Sequence, residues 1–127
     1  MTVCTKDRRP WLANDEAHGS SRQVWQQAAA WWVGRYVLMP DHLHLFAAPQ
    51  DLMSTLESWL RYWKSRFSRS HPHADWTWQA NAFHHRLRND EGYGEKWRYV
   101  KENPVRAGLV DDSEEWRFQG EIFPLRW

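Results

Sequence analysis

Two histidines separated by one apolar residue, His42-Leu43-His44, lie in the run Met39-Pro40-Asp41-His42-Leu43-His44-Leu45-Phe46. On a β-strand alternate residues share a face, so this spacing sets both imidazoles on one side and sends Leu43 and Leu45 into a core on the other. Imidazole is the commonest side-chain metal ligand, and two on a rigid strand make half of a metal site. A solvated strand edge or a satisfied structural pair uses the same pattern, and the local sequence leaves both readings open. Further along, Tyr99 and Asn103 stand four apart, with Glu95 one turn before Tyr99. A continuous helix would bring the phenol and the carboxamide onto one ridge, where they could meet two imidazoles on a sheet.

The elements that must position these groups follow from local pattern. Thr2–Thr5 is a short β-rich run closed by the charged segment Lys6–Arg9 and by Pro10. A strand starting at residue 2 suggests that a few residues that would lengthen it are missing. A helix is predicted from about Ser20 to Ala30, with Ser20 or Ser21 as its cap and Val24, Trp25, Ala28 and Ala29 at helical spacing. Trp31–Met39 reads as a strand, Pro40-Asp41 as punctuation, and the histidine strand runs on to Ala47, which makes a hairpin.

Asp51 is the predicted cap of the next helix, along which Leu52, Leu56, Trp59, Leu60, Trp63 and Phe67 recur at three-to-four spacing. Its other side carries Arg61, Lys64 and Ser68, with Arg66 and Arg69 near the end. That is a solvated basic face by default, and a phosphate-neutralising track if it faces a phosphate-handling metal site. After the break at His71-Pro72-His73, residues 75–79 and 82–87 read as two short extended segments. His84 and His85 are adjacent and would face opposite ways on a strand, so they cannot share one site. Glu95–Glu102 reads as a helix that Pro104 ends. Tyr93, between Gly92 and Gly94, reads as a turn residue and ranks behind Tyr99 as a nucleophile. The tail, residues 111–127, reads as a strap that packs Trp116, Phe118 and Trp127 on the domain. The implied order β-α-β-β-α-β with a further helix predicts an α+β fold: a ferredoxin-like antiparallel sheet with helices on one face, as one domain over residues 1–127.

Composition bounds the function. The chain has 127 residues, 42% hydrophobic and 26% charged, which fits one soluble domain. No apolar run approaches a membrane span and the first residues are charged where a signal peptide is apolar, so a cytoplasmic protein with no membrane partner is expected. One cysteine, Cys4, excludes an internal disulfide and a multi-cysteine zinc cluster. Cys4 has no evident base beside it, and no Walker loop, Gly-x-Ser-x-Gly elbow or His-Glu-x-x-His helix occurs. A net charge of +1 does not by itself identify a nucleic-acid binder. The 11 tryptophans could stack on unpaired bases, although core packing accounts for most such residues.

Together, Tyr36-Val-Leu-Met-Pro-Asp-His-Leu-His-Leu-Phe46 and Tyr99-Val-Lys-Glu-Asn-Pro-Val-Arg-Ala-Gly-Leu-Val110 resemble the HUH single-tyrosine transposases, most of all the branch of REP-associated tyrosine transposases. Thr5-Lys-Asp-Arg-Arg-Pro10 and Phe83-His-His-Arg-Leu-Arg88 extend the resemblance over about residues 2–110. It implies that His42 and His44 hold a divalent ion, Mg²⁺ or Mn²⁺, that Tyr99 is the nucleophile, and that Asn103 adds a further metal ligand. It also implies cleavage and strand transfer on single-stranded or hairpin DNA through a 5′-phosphotyrosine and a free 3′ hydroxyl, without ATP. Arg61, Lys64, Arg86 and Arg106 are then the candidate DNA contacts. Asp41 departs from the asparagine usual before the first histidine and adds a negative charge near the ion. Family members work as monomers or as dimers that share sites, so monomer and homodimer both stand. Two other readings are a catalytically inactive or domesticated DNA-binding protein of the same fold, and an RNA-binding ferredoxin-like module using exposed aromatics.

Overall fold

The computed structural model describes residues 1–83 and 90–125. In chain order these form β1 (Thr2–Thr5), α1 (Asp15–Gln27), β2 (Trp31–Leu38), β3 (His42–Pro49), α2 (Leu56–Arg69), β4 (Trp78–Phe83), α3 (Asp90–Val100), α4 (Asn103–Arg106) and β5 (Gln119–Glu121). A left-handed turn lies at Lys6–Arg8 and a single 3₁₀ turn at Ser113–Glu115. The strands make one antiparallel sheet in the order β4-β1-β3-β2-β5, so the predicted α+β sheet and its β-α-β-β-α-β order are present. The histidine strand β3 is central, flanked by β1 and β2.

α1 and α2 cover one face of this sheet. Val24 and Trp25 of α1 and Trp59, Leu60, Trp63 and Phe67 of α2 pack with Val3, Val33, Tyr36, Leu38, Leu43 and Leu45. The tryptophans are mostly structural: Trp25 and Trp63 are fully buried and meet edge to face with ring centroids 5.6 Å apart, and Trp63 meets Trp78 the same way at 5.3 Å. Helix starts depart from the sequence expectation because the caps lie elsewhere. Asn14 caps α1 by accepting from the Ala17 amide at 2.8 Å, with Asp15 and Glu16 favourably placed in the first turn, so Ser20 and Ser21 are interior. Thr55 caps α2 through the Ser58 amide, while Asp51 instead closes a turn onto the Met53 amide and Leu52 projects into solvent, 97% exposed. Of the two predicted extended segments after His73, the first forms only the start of β4, and residues 84–87 of the second lie outside the described residues.

Two further departures concern the second face. α3 begins at Asp90, so Tyr93 is helical and buried rather than in a turn. Its ring packs on Phe46 at 4.8 Å and its hydroxyl accepts from the Arg35 amide at 2.9 Å. Phe46 shares the face of His42 and His44, so this third helix lies on the side opposite α1 and α2. The predicted strap also contributes a strand: Arg35, Tyr36 and Val37 pair with Glu121, Gly120 and Gln119. Trp116 donates its indole N–H to the Leu38 carbonyl at 2.9 Å and Phe118 packs against the core, as expected of a strap, while Trp127 lies outside the described residues.

Gly120 shows how closely β5 is fitted. The Tyr36 hydroxyl beneath it is held by Arg22 at 2.7 Å and by His18 at 2.6 Å, and Tyr36 has no exposed surface. A Cβ on Gly120 would stand 2.8 Å from both that hydroxyl and Arg22 Nη1. Gly120→Ala is therefore expected to lower stability by about 1–3 kcal/mol in thermal or urea denaturation. Gly19→Ala on α1, where a Cβ meets nothing within 4 Å, is expected to raise it by about 0.5–1 kcal/mol.

Candidate active site

The alternation of β3 divides its residues as its sequence predicts. Leu43 and Leu45 are fully buried in the helix-covered core, and His42 and His44 share the opposite face with ring centroids 5.0 Å apart and planes near perpendicular. Register adds their neighbours: Thr2 and Cys4 of β1 oppose His44 and His42, and Val37 of β2 opposes His44. Thr2 Oγ1 shares a hydrogen bond with His44 Nδ1 at 3.1 Å, and Asp41 Oδ1 is 2.7 Å from His42 Nδ1. Both rings thus have Nδ1 engaged, which leaves Nε2 as the nitrogen able to bind a further group.

Burial, with smaller contributions from the charges of His42, the Met1 amino group and Arg106, pulls the His44 pKa down to about 4. His44 is therefore a neutral imidazole at ordinary pH, the form that binds metal. Burial pushes the Asp41 pKa up, but the hydrogen bonds from Arg8 and His42 together with their charges outweigh it, so the carboxyl is held below its usual range and stays ionised.

Contrary to the sequence expectation, Cys4 does have an imidazole neighbour, since His42 is its cross-strand partner. Its thiol is nonetheless sealed, with the residue 4% exposed and Sγ 3.6 Å from Arg8 Nη1.

α3 ends at Val100, and a turn at Lys101-Glu102 separates it from α4, so Tyr99 and Asn103 do not ride one continuous helix. Pro104 occupies the first turn of α4, where its missing N–H costs nothing, and so it starts a helix as well as ending one. Arg106 reunites the pair. Its guanidinium carbon stands 4.2 Å above the Tyr99 ring, and Nη2 donates to the Tyr99 carbonyl at 2.9 Å and to Asn103 Oδ1. Tyr99 itself is 66% exposed, free to meet a substrate in solution.

Not every candidate gathers here. Arg61 and Lys64 lie on α2, across the sheet from the histidines, where they line a groove of about 730 Å³ against β4 with Ser65, Ser68 and Gln79. Lys64 donates to the Gln79 carbonyl at 3.0 Å, and burial lowers its pKa. Arg86, like His84 and His85, lies outside the described residues. Sequence reasoning missed Arg8 beside Asp41; the signal was the RRP run, but nothing local says that it folds back onto residue 41.

Among the described residues no group of three or more His, Cys, Asp or Glu side chains is placed to hold a metal ion. The residues that would hold such an ion are His42 and His44, through Nε2, with water and substrate phosphate completing its shell. Asn103 Oδ1 accepts from Arg106.

The chain is similar in both sequence and fold to REP-associated tyrosine transposases. It is 24% identical to a protein of that description from Haemophilus influenzae over 110 residues, covering 71% of this chain and 62% of the relative. It is also 24% identical to the REP-associated tyrosine transposase of Escherichia coli K12 over 103 residues, covering 75% of this chain and 61% of the relative. The chain thus spans about three fifths of the length of these curated relatives. A solved structure of a REP-associated tyrosine transposase bound to a REP hairpin superposes with a TM-score of 0.78 at 23% identity, over 93% of this chain and 72% of that one. No family model matches the sequence. No helix among the described residues is long and apolar enough to cross a membrane.

A neutral, desolvated His44 costs stability in acid. The unfolded histidine takes up its proton near pH 6.5, whereas the folded one resists until about 4, so the unfolded state binds more protons in that window. The stability His44 allows is full above pH 6.5 and falls as the pH drops toward 4. Thermal denaturation is expected to show this decline, and His44→Gln to flatten it.

Proposed function

We propose that the chain is a metal-dependent, single-stranded DNA endonuclease and strand transferase of the transposase kind, acting on hairpin-forming DNA. The observation that carries this reading is the pairing of His42 and His44 on one face of the sheet in a chain that also presents an exposed Tyr99 braced by Arg106. The likeness to a transposase bound to a hairpin supports DNA as the partner.

In this reading His42 and His44 hold Mg²⁺ or Mn²⁺ through Nε2. Such an ion, when bound, polarises a non-bridging phosphate oxygen and spreads the charge that builds up on it. Tyr99 Oη attacks phosphorus, the P–O3′ bond breaks, and the strand's 5′ phosphate becomes joined to the tyrosine. The phenol loses one proton and the leaving 3′ oxygen gains one, so the exchange is balanced and draws on no nucleotide hydrolysis. Arg106, fixed over the ring, orients the nucleophile and sets a guanidinium beside it that can attract the phosphate. Reversal with another 3′ hydroxyl transfers the strand. Arg61 and Lys64, on the far side of the sheet, serve as contacts to the DNA backbone away from the cut.

A labelled single-stranded hairpin oligonucleotide with Mg²⁺ or Mn²⁺ is expected to yield a covalent protein–DNA band, absent from Tyr99→Phe and from the His42→Ala/His44→Ala double variant. Binding of the hairpin by wild type with no such band in either metal overturns catalysis and leaves a DNA-binding protein of this fold. Preference for unstructured RNA favours the RNA-binding reading instead. Arg106→Ala is expected to slow band formation by about 10²-fold or more, the scale for losing one charge-stabilising or orienting group, while hairpin affinity falls far less.

A further inference from the structure

We propose that Asp41 is a positioning residue that selects the ring tautomer and orientation of His42, and that Arg8 fixes Asp41 for that task. The inference rests on His42 acting as a metal ligand. Asp41 divides its two oxygens: Oδ1 lies 2.7 Å from His42 Nδ1, and Oδ2 accepts from Arg8 Nε at 3.0 Å. Arg8 Nη2 is also 3.4 Å from His42 Nδ1, but a ring nitrogen that donates its proton to a carboxylate cannot accept from a guanidinium. The shorter carboxylate contact decides the matter. Nδ1 carries the hydrogen, and the Nε2 lone pair is turned outward.

The surrounding backbone shows that this contact is built. Asp7 and Arg8 are consecutive non-glycine residues with φ of 57° and 55°, a left-handed conformation that costs roughly 1–2 kcal/mol per residue. It persists because both flanks are tied to the loop before β3: the Thr5 amide and hydroxyl donate to the Asp41 carbonyl at 3.0 and 2.9 Å, and the Leu12 amide donates to the Pro40 carbonyl at 3.0 Å. The strained turn returns Arg8 to a residue 33 positions later in the chain.

Charge gives the arrangement a reason. A lone carboxylate at position 41 could swing round to ligate the ion, and a lone guanidinium beside His42 would repel it. Paired, they cancel, and the carboxylate is kept on the Nδ1 side of the ring. A carboxylate–imidazole–metal chain of this kind raises ligand basicity and fixes ring direction.

The test uses the whole chain without DNA. Long-range ¹H–¹⁵N NMR correlations of the ring are expected to show His42 as the Nδ1–H tautomer at pH 8 in the absence of metal, and Asp41→Ala to shift it toward Nε2–H. By electron paramagnetic resonance titration with Mn²⁺, Asp41→Ala is expected to weaken binding by about 10–100-fold. Asp41→Asn, which keeps an acceptor for the Nδ1 hydrogen, is expected to bind Mn²⁺ more nearly as wild type does, and Arg8→Ala, which frees the carboxylate to turn, to lower the Nδ1–H share of the ring. Circular dichroism checks that each variant is folded. A wild-type His42 found as Nε2–H, or an Asp41→Ala variant unchanged in tautomer, overturns the proposal. So does an Asp41→Ala variant that binds Mn²⁺ as wild type does. Wild type that binds no Mn²⁺ overturns the metal reading above, and the tautomer measurement still decides the role of Asp41.

Discussion

Strand β3 must satisfy two environments at once, and the two-residue period of its pleat is what allows it. Leu43 and Leu45 lose all contact with water among the tryptophans of α1 and α2, while the residues between them are carried to the other side. Burying those leucines and their neighbours supplies the free energy that holds the strand in register; a slip of one residue would put two imidazoles in the core and two leucines in solvent. Position of the histidines is thus a by-product of core packing, and it is as rigid as the core. β1 and β2, paired on either side, extend the same rule outward, which is why Thr2, Cys4 and Val37 become the surroundings of the histidine pair.

Much of this was legible in the sequence because it is local. The alternation through His42–Leu45, the hairpin at Pro40-Asp41 and the three-to-four spacing of Trp59, Trp63 and Phe67 all describe neighbours along the chain, and the sheet and its two covering helices follow from them. Helix starts were misplaced where two capping residues competed. Asp51 and Thr55 are both good caps, and the fold assigns the helix to Thr55 while Asp51 closes the turn before it and Leu52 stays in solvent. Tyr93 was misread because its two flanking glycines signal a turn, yet packing on Phe46 supplies what their helix propensity lacks.

The parts that sequence could not give are contacts between distant segments. Nothing in residues 90–100 states which face of the sheet they will cover; that depends on Phe46 and on the space above Gly34, where a Cβ would stand 2.5 Å from the Tyr93 hydroxyl. Arg106 was legible as a basic residue in a motif, but its stacking on Tyr99 requires the chain to turn at Lys101-Glu102. Arg61 and Lys64 were legible as a basic face, and the choice of side was settled by the opposite, apolar face of the same helix. Burial of Trp59 and Trp63 commits α2 to the far side from the histidines.

The bond from Lys64 to the Gln79 carbonyl also matters for the sheet itself. β4 is an outer strand, and an outer strand with open carbonyls invites a strand from another molecule. An ammonium already seated on a carbonyl of that strand, a charge that an incoming strand would have to displace, makes it a poorer template. At the opposite margin β5 offers only the three residues Gln119–Glu121. A protein so rich in tryptophan and β-structure has good reason to blunt both margins, and the lysine that lines the basic groove is the side chain that occupies this one.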